Sequence, residues 1–335
     1  TRIGGGVSEI LFGIQRVSNM DDISHQRFVT STEPEVFRIT KRLHHRLHGV
    51  YAGELPDEAE HKIYVSYGQH NAHRLLGSLR DDDLVILHDP QTLPMAPILT
   101  AVGAKVAWRC HIGTRVSNDV SRETWSYLEQ FWSPELTLVF TDESLVPEAA
   151  EGMPVRIIPP SIDLGAPKNA FLPDSVVRAT LDEIGLGETP ASSSTTEVIS
   201  EEPLDDAPVV LQVSRWDPLK DMVGVLRAFV DSSLPRRSRL VLCGPSPAGV
   251  ADDPEAAEVL ADVRRTLDEL PSSLRRRVHL VCPDLSDEAG NARVVNALQR
   301  RATVVVQKSR QEGFGLTVTE AMAKARPVVA SRVGG

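Results

Sequence analysis

Only three of the 335 residues are cysteines, and Cys110, Cys243 and Cys282 share no metal or redox spacing. Each lies in an apolar run that reads as a strand, so all three are expected to be reduced core thiols. No apolar stretch approaches the length of a bilayer span, and no signal-peptide pattern is visible. A membrane partner is therefore not expected, and a cytoplasmic location is the default. Basic residues are also in deficit: 36 Lys and Arg face 46 Asp and Glu, for a net charge of −10. That balance argues against a nucleic-acid partner, which needs a concentrated basic surface. It leaves room for a small phosphorylated ligand, which needs only a few well-placed cations. No G-x-S-x-G, P-loop or H-E-x-x-H pattern occurs. His44 and His48 are spaced as a helical pair, but no third ligand accompanies them. Asp81-Asp82-Asp83 reads as a solvated turn, so no metal site is expected.

What the chain does contain is an alternation of short apolar runs with helical periodicities, the pattern of α/β folds with parallel sheets. In the first half, strands are predicted at Leu84 to Leu87, Lys105 to Trp108, Thr137 to Phe140 and Val155 to Ile158. Helices are predicted at Val7 to Val17, Val36 to His48 and Arg122 to Trp132. Pro159-Pro160 is a stiff connection suited to a domain boundary. In the second half, strands are predicted at Val209 to Val213, Leu240 to Cys243, Val278 to Val281, Thr303 to Val306 and Val328 to Ala330, with helices between them. This describes two doubly wound domains, 1–158 and 159–335, with a ligand expected in the cleft between them. Residues 187–206 are Ser/Thr-rich and acidic, with only Val198 and Ile199 to bury, and are expected to form a mobile insertion. The chain opens on a glycine loop with no strand before it and stops where a further helix is expected. It therefore reads as trimmed at both ends.

Four clusters can carry chemistry. In the segment from Glu312 to Ala323, two glutamates stand eight apart (320 − 312), separated by the turn Gly313-Phe314-Gly315 and a helix opening near Leu316. Backbone N–H groups at that helix start favour an anion, and the carboxylates of Glu312 and Glu320 suit sugar and ribose hydroxyls. In Val213 to Asp221, Arg215 and Lys220 lie on a loop between a strand and a helix, where a pair of cations can grip a diphosphate. Gly4-Gly5-Gly6 lets the backbone approach a phosphate or sugar closely, although it lacks the dinucleotide-binding spacing. Finally, two strand ends bring polar groups to one sheet edge: His88, Asp89 and Gln91 on the first, and Arg109 and His111 on the second.

The Glu312…Glu320 segment, with Arg215 and Lys220, resembles the family 4 retaining glycosyltransferases, which have the GT-B fold of two Rossmann-like domains. The resemblance implies that Glu312 contacts the donor sugar and Glu320 the nucleotide ribose. Arg215 and Lys220 would hold the diphosphate, together with Gly315 and Leu316 at the helix start. Gly5 and Gly6 would lie near phosphate or acceptor, and His111 at the reacting centre. No metal is implied, because the Arg/Lys pair and the helix dipole replace it, and the nucleotide sugar is a substrate rather than a cofactor. A narrower likeness covers nearly the whole chain. GGGVSEIL, RITKRLHHRLHG, ILHDPQ, AWRCHI, IPPSID with Lys168-Asn169, QVSRWDPLKD and DDPEA are similar to segments of the trehalose glycosyltransferring synthases. That implies α-glucosyl transfer from a nucleoside-diphosphate glucose to free glucose. His88, Asp89, Gln91, Arg109 and His111 would hold the acceptor, and a homodimer is compatible with the likeness. The alternatives are a trehalose phosphorylase using glucose 1-phosphate, or a sugar-nucleotide-binding module without turnover.

Overall fold

The computed structural model describes residues 6–31, 33–187, 195–247 and 254–334. Contacts divide the chain into two units, each treated below by itself. Unit 1 comprises Thr1–Ser161, Gln311–Gly315 and Val333–Gly335, and unit 2 comprises Ile162–Arg310 and Leu316–Arg332. The division falls just beyond Pro159-Pro160 and cuts between Gly315 and Leu316.

Unit 1 begins with three helices, α1 (Gly6–Met20), α2 (Pro34–Leu47) and α3 (Glu58–Leu76). Four strands follow: β1 (Leu84–His88), β2 (Lys105–Cys110), β3 (Thr137–Phe140) and β4 (Val155–Ile157). One-turn α4 (Asp89–Thr92) and α5 (Ala96–Ala101) link β1 to β2, and α6 (Asp119–Leu128) links β2 to β3. The four strands pair in parallel, in the order β1-β2-β3-β4. Parallel strands covered by helices bury both faces, and Trp108, Leu138 and Phe140 are accordingly fully enclosed.

Helix α3 is the one long element that sequence reading omits. It starts on a reciprocal capping box, in which the Asp57 side chain accepts from Glu60 N at 2.9 Å and Glu60 returns toward Asp57 N. Its buried positions include Tyr64, Gly68 and Asn71. Of its five buried residues, Gly68, Asn71 and Ala72 are small or polar, which blurs the apolar stripe that normally reveals a helix.

Unit 2 carries α7 (Asp174–Glu183), β5 (Glu197–Ile199), β6 (Val209–Val213), α8 (Met222–Val230), β7 (Arg239–Cys243) and α9 (Pro254–Asp268). The short α10 (Ser272–Arg275), β8 (Val278–Cys282), α11 (Glu288–Arg301), β9 (Val304–Gln307), α12 (Leu316–Ala323) and β10 (Val328–Ala330) complete it. The sheet order is β10-β9-β6-β7-β8-β5. The chain runs outward from β6 through β7 to β8, then returns to place β9 on the other side of β6. The carboxyl ends of β6 and β9 therefore flank the switch point, where α/β sheets bind ligands.

The acidic segment 187–206 differs from expectation. Residues 188–194 lie outside the described residues. The remainder is packed: β5 pairs antiparallel with β8 (Glu197↔Cys282 to Ile199↔Leu280), and Leu204 is 1% exposed in the core beside Leu186 and Val209. Its acidic residues find cations. Glu197 meets Arg264 at 2.8 Å, Glu201 meets Arg275 at 2.5 Å and Glu202 meets Arg239 at 2.9 Å. Pairing and charge complementarity offset an ordering cost that composition alone overstates.

Candidate active site

The unit 1 cluster grows from the ends of two neighbouring strands. In the β1–β2 register, His88 stands opposite Arg109. The chain turns out of β1 at Asp89, which has a left-handed backbone (φ 58°), a conformation Asp tolerates better than most residues. Asp89 then ties β1 to β2 twice: Trp108 Nε1 donates to its carbonyl at 2.9 Å, and His111 N donates to its Oδ1 at 2.8 Å. Trp108 is itself fixed by Trp125, Trp132 and Phe140, whose ring centroids lie 6.2–6.5 Å away. A rigid aromatic core thus sets the position of a polar site.

His88 and His111 stack with centroids 5.4 Å apart and planes 5° from parallel, and His88 Nδ1 lies 3.2 Å from His111 Nε2. Burial, followed by the positive charge of Arg109, lowers His88 to about 4 and His111 to about 3. Both rings are therefore neutral at pH 7, and one donates to the other. Burial pushes the Asp89 carboxyl up to about 7, against the opposing pull of the His111 N–H and Arg109. Arg109 is 9% exposed. It donates through Nη2 to Ile158 O at 3.1 Å, while its buried Nε has no hydrogen-bond partner. Gln91 lies partly exposed in α4.

The glutamate motif contributes to the same unit. A Cβ on Gly313 would lie 2.3 Å from His111 O, so only glycine lets the 311–315 backbone pass this close to the strand end. Glu312, partly buried, precedes that contact. Gly5 lies outside the described residues, and Gly6 opens α1. Sequence reading missed His25, whose charge bears on His88 and whose buried Nδ1 has no hydrogen-bond partner. It belongs to no motif and no strand end, so no local signal reveals it.

In unit 2, every residue of β6 is buried, and the loop beyond it carries the cations. Arg215 reaches Asp217 at 3.1 Å with its side chain 46% exposed, and Asp217 caps the following turn by accepting from Leu219 N at 2.8 Å. Lys220, partly buried, is followed by Asp221, left-handed at φ 50° ahead of α8. From the neighbouring end of β9, Lys308 and Arg310 both pair with Asp221, the latter at 3.3 Å. Buried Gln212 couples the two loops, donating to Lys220 O at 2.8 Å and accepting from Lys308 N at 3.0 Å. Sequence reading identified only Arg215 and Lys220. Lys308 and Arg310 follow directly on the strand beside β6, and that adjacency is the signal that marks them.

Gly315, buried with φ 83°, makes the turn into α12, which starts at Leu316. Glu320 points inward and is 0% exposed. Its Oε2 accepts from Gln299 Nε2 at 3.1 Å, and Lys168 Nζ stands 3.1 Å from Oε1. Among the described residues, no group of three His, Cys, Asp or Glu side chains could hold a metal ion, and no helix is long and apolar enough to cross a membrane.

Comparison with known proteins agrees with this architecture. Residues 1–147 match the family model "Trehalose synthase, N-terminal domain", and residues 207–335 match "Glycosyl transferases group 1". A trehalose synthase of Thermococcus litoralis is 33% identical over 338 residues, covering 100% of this chain and 73% of that protein. One from Rubrobacter xylanophilus is 32% identical over 343 residues, with the same coverage. A trehalose phosphorylase of Pleurotus sajor-caju is more distant, at 25% identity over 99% of this chain and 47% of its own length. Among solved structures, a trehalose-6-phosphate synthase superposes with a TM-score of 0.68 at 14% identity, covering 99% of this chain and 81% of that one. The chain has the GT-B fold and belongs to the trehalose synthase family, as a glycosyltransferase of trehalose metabolism.

Proposed function

We propose that the chain transfers an α-glucosyl group from a nucleoside-diphosphate glucose to the anomeric hydroxyl of free glucose, with retention and without a metal. The observation that carries this reading is the pair of loops coupled by Gln212, which gathers Arg215, Lys220, Lys308 and Arg310 at the switch point of the unit 2 sheet. Cations gathered at one sheet edge are suited to meet the charges of a diphosphate. Placed there in advance, they stabilise the charge that develops on the leaving phosphate, the task a metal ion otherwise performs.

In this reading the bond from the sugar's anomeric carbon to the phosphate oxygen breaks, and the acceptor oxygen bonds to the same face of that carbon. The acceptor proton passes to the departing phosphate oxygen. Glu312 holds donor-sugar hydroxyls, and Glu320 holds the ribose, using the Oε1 atom that lacks an aligned hydrogen-bond donor. The unit 1 cluster takes the acceptor. Asp89, Gln91, Arg109 and His111 offer both donors and acceptors to a polyol, and the neutral rings of His88 and His111 can hydrogen-bond to hydroxyls without adding charge.

The test incubates the full-length chain with ADP-, GDP- or UDP-glucose and glucose, in the presence of EDTA. Trehalose and the free nucleoside diphosphate are the expected products. Glucose 1-phosphate from trehalose and inorganic phosphate, with no product from any nucleotide sugar, would identify a phosphorylase and refute the proposal.

A further inference from the structure

Lys324 follows α12 directly and is one helical turn beyond Glu320, so the two share a face. It is 5% exposed, an unusual setting for a lysine whose charge has no role. Its ammonium donates to Gln299 Oε1 at 2.7 Å, to Asn169 Oδ1 at 3.0 Å and to Glu320 O at 3.3 Å. Gln299, from α11, is 0% exposed.

The direction of these bonds fixes the arrangement. An ammonium can only donate, so the atom of Gln299 that faces Lys324 must be its oxygen. The amide nitrogen is then the atom that faces Glu320, and it donates to Oε2 at 3.1 Å. Gln299 cannot flip without setting its NH2 against the ammonium and its oxygen against a carboxylate. One carboxylate oxygen of Glu320 is thereby occupied from within the protein. The other, Oε1, is buried beside the Lys168 charge at 3.1 Å and receives no aligned hydrogen bond. An acceptor atom that meets a charge but no aligned hydrogen bond suits a ligand hydroxyl, which brings its own donor.

We propose that Lys324, acting through Gln299, is a positioning residue that holds Glu320 with Oε1 directed to a hydroxyl of the donor's ribose. The proposal rests on the reading that Glu320 binds ribose. It adds that the preference for ribose depends on a lysine that need not touch the nucleotide.

The experiment measures binding of ADP, GDP and UDP, and of their 2′-deoxy and 3′-deoxy forms, to the full-length protein by calorimetry. The wild type is expected to favour at least one ribose form over its deoxy counterpart by about 10-fold or more, the size of a hydrogen bond to a carboxylate. Lys324→Met should bring that ratio close to one, chiefly by weakening the ribose form. A merely structural role would weaken ribose and deoxyribose forms alike and leave the ratio intact, and that result would overturn the proposal. Gln299→Asn, which keeps an amide but falls short of Glu320, should also reduce the ratio. It tests the same link if Lys324→Met does not fold. Glu320→Gln separates the two layers. If the wild type shows no ribose preference, or Glu320→Gln retains it, the ribose reading itself fails. If Glu320→Gln abolishes the preference while Lys324→Met and Gln299→Asn keep it, only the role of Lys324 and Gln299 fails.

Discussion

Replacing Asp89 with Asn should make the protein more stable at pH 8 and leave it nearly unchanged at pH 4. Burial raises the Asp89 carboxyl from an ordinary 3.8 to about 7. A carboxyl raised on folding favours the folded state while protonated, and that contribution is lost as pH climbs from the unfolded value through the folded one. The difference of 3.2 pH units (7 − 3.8), at about 1.4 kcal/mol each, sets an upper bound of about 4 kcal/mol. Asn cannot ionise, yet its side-chain oxygen can still accept from His111 N, as Oδ1 now does at 2.8 Å. The assay is urea unfolding of wild type and variant from pH 4.5 to 8, followed by tryptophan fluorescence. Three of the four tryptophans, Trp108, Trp125 and Trp132, report on unit 1. The stability difference should grow in favour of Asn across this range and level off above pH 7. Parallel curves would show that the carboxyl is not held protonated by burial, and the reasoning would fail.

Lys220→Ala should reduce turnover by about 2–4 kcal/mol of transition-state stabilisation while leaving the melting temperature nearly unchanged, as steady-state kinetics and thermal melts would show. Arg109→Ala should raise the KM for glucose and leave nucleotide-sugar affinity by calorimetry almost intact; the reverse outcome would place Arg109 on the donor side. Leu204→Ala should cost about 3 kcal/mol in chemical denaturation, because its side chain is 1% exposed in the unit 2 core. His88 and His111, lowered to about 4 and 3, should add no step to the activity profile between pH 5 and 8. Their contribution to stability is present above pH 6.5 and lost as pH falls toward 3, a trend that acid titration followed by near-UV circular dichroism would detect.

Strands were the most legible part of the molecule. Residues 138–140 and 209–211 are continuous apolar runs that are fully buried, and such runs carry their signal in composition. Helix α3 was hidden because its contacts use Tyr64, Gly68 and Asn71 rather than an aliphatic stripe. The acidic segment was misjudged because its cations, Arg239, Arg264 and Arg275, lie 37–74 residues away and its buried Leu204 stands alone among polar neighbours. Of the candidate site, the groups at strand ends could be read from position, since strand termini collect at one sheet edge. His25, Gln212 and Lys324 could not, because what brings them to their neighbours is tertiary packing rather than local spacing.

The short strand β5 also bears on how the protein behaves at high concentration. Without it, β8 would present a free row of N–H and C=O groups along Val278–Cys282, five uncharged residues rich in valine and leucine. Such a row is a template for a second chain, and the sequence VHLVC has the composition of a fibril-forming segment. β5 covers it with a three-residue strand that begins in Glu197 and is followed by Glu201 and Glu202, so the outermost edge is short, acidic and antiparallel. A stretch that composition marks as mobile thus covers an edge that would otherwise be open to a second chain. Because ion pairs to Arg239, Arg264 and Arg275 help to hold it, concentrated salt should loosen that cover before it loosens the core.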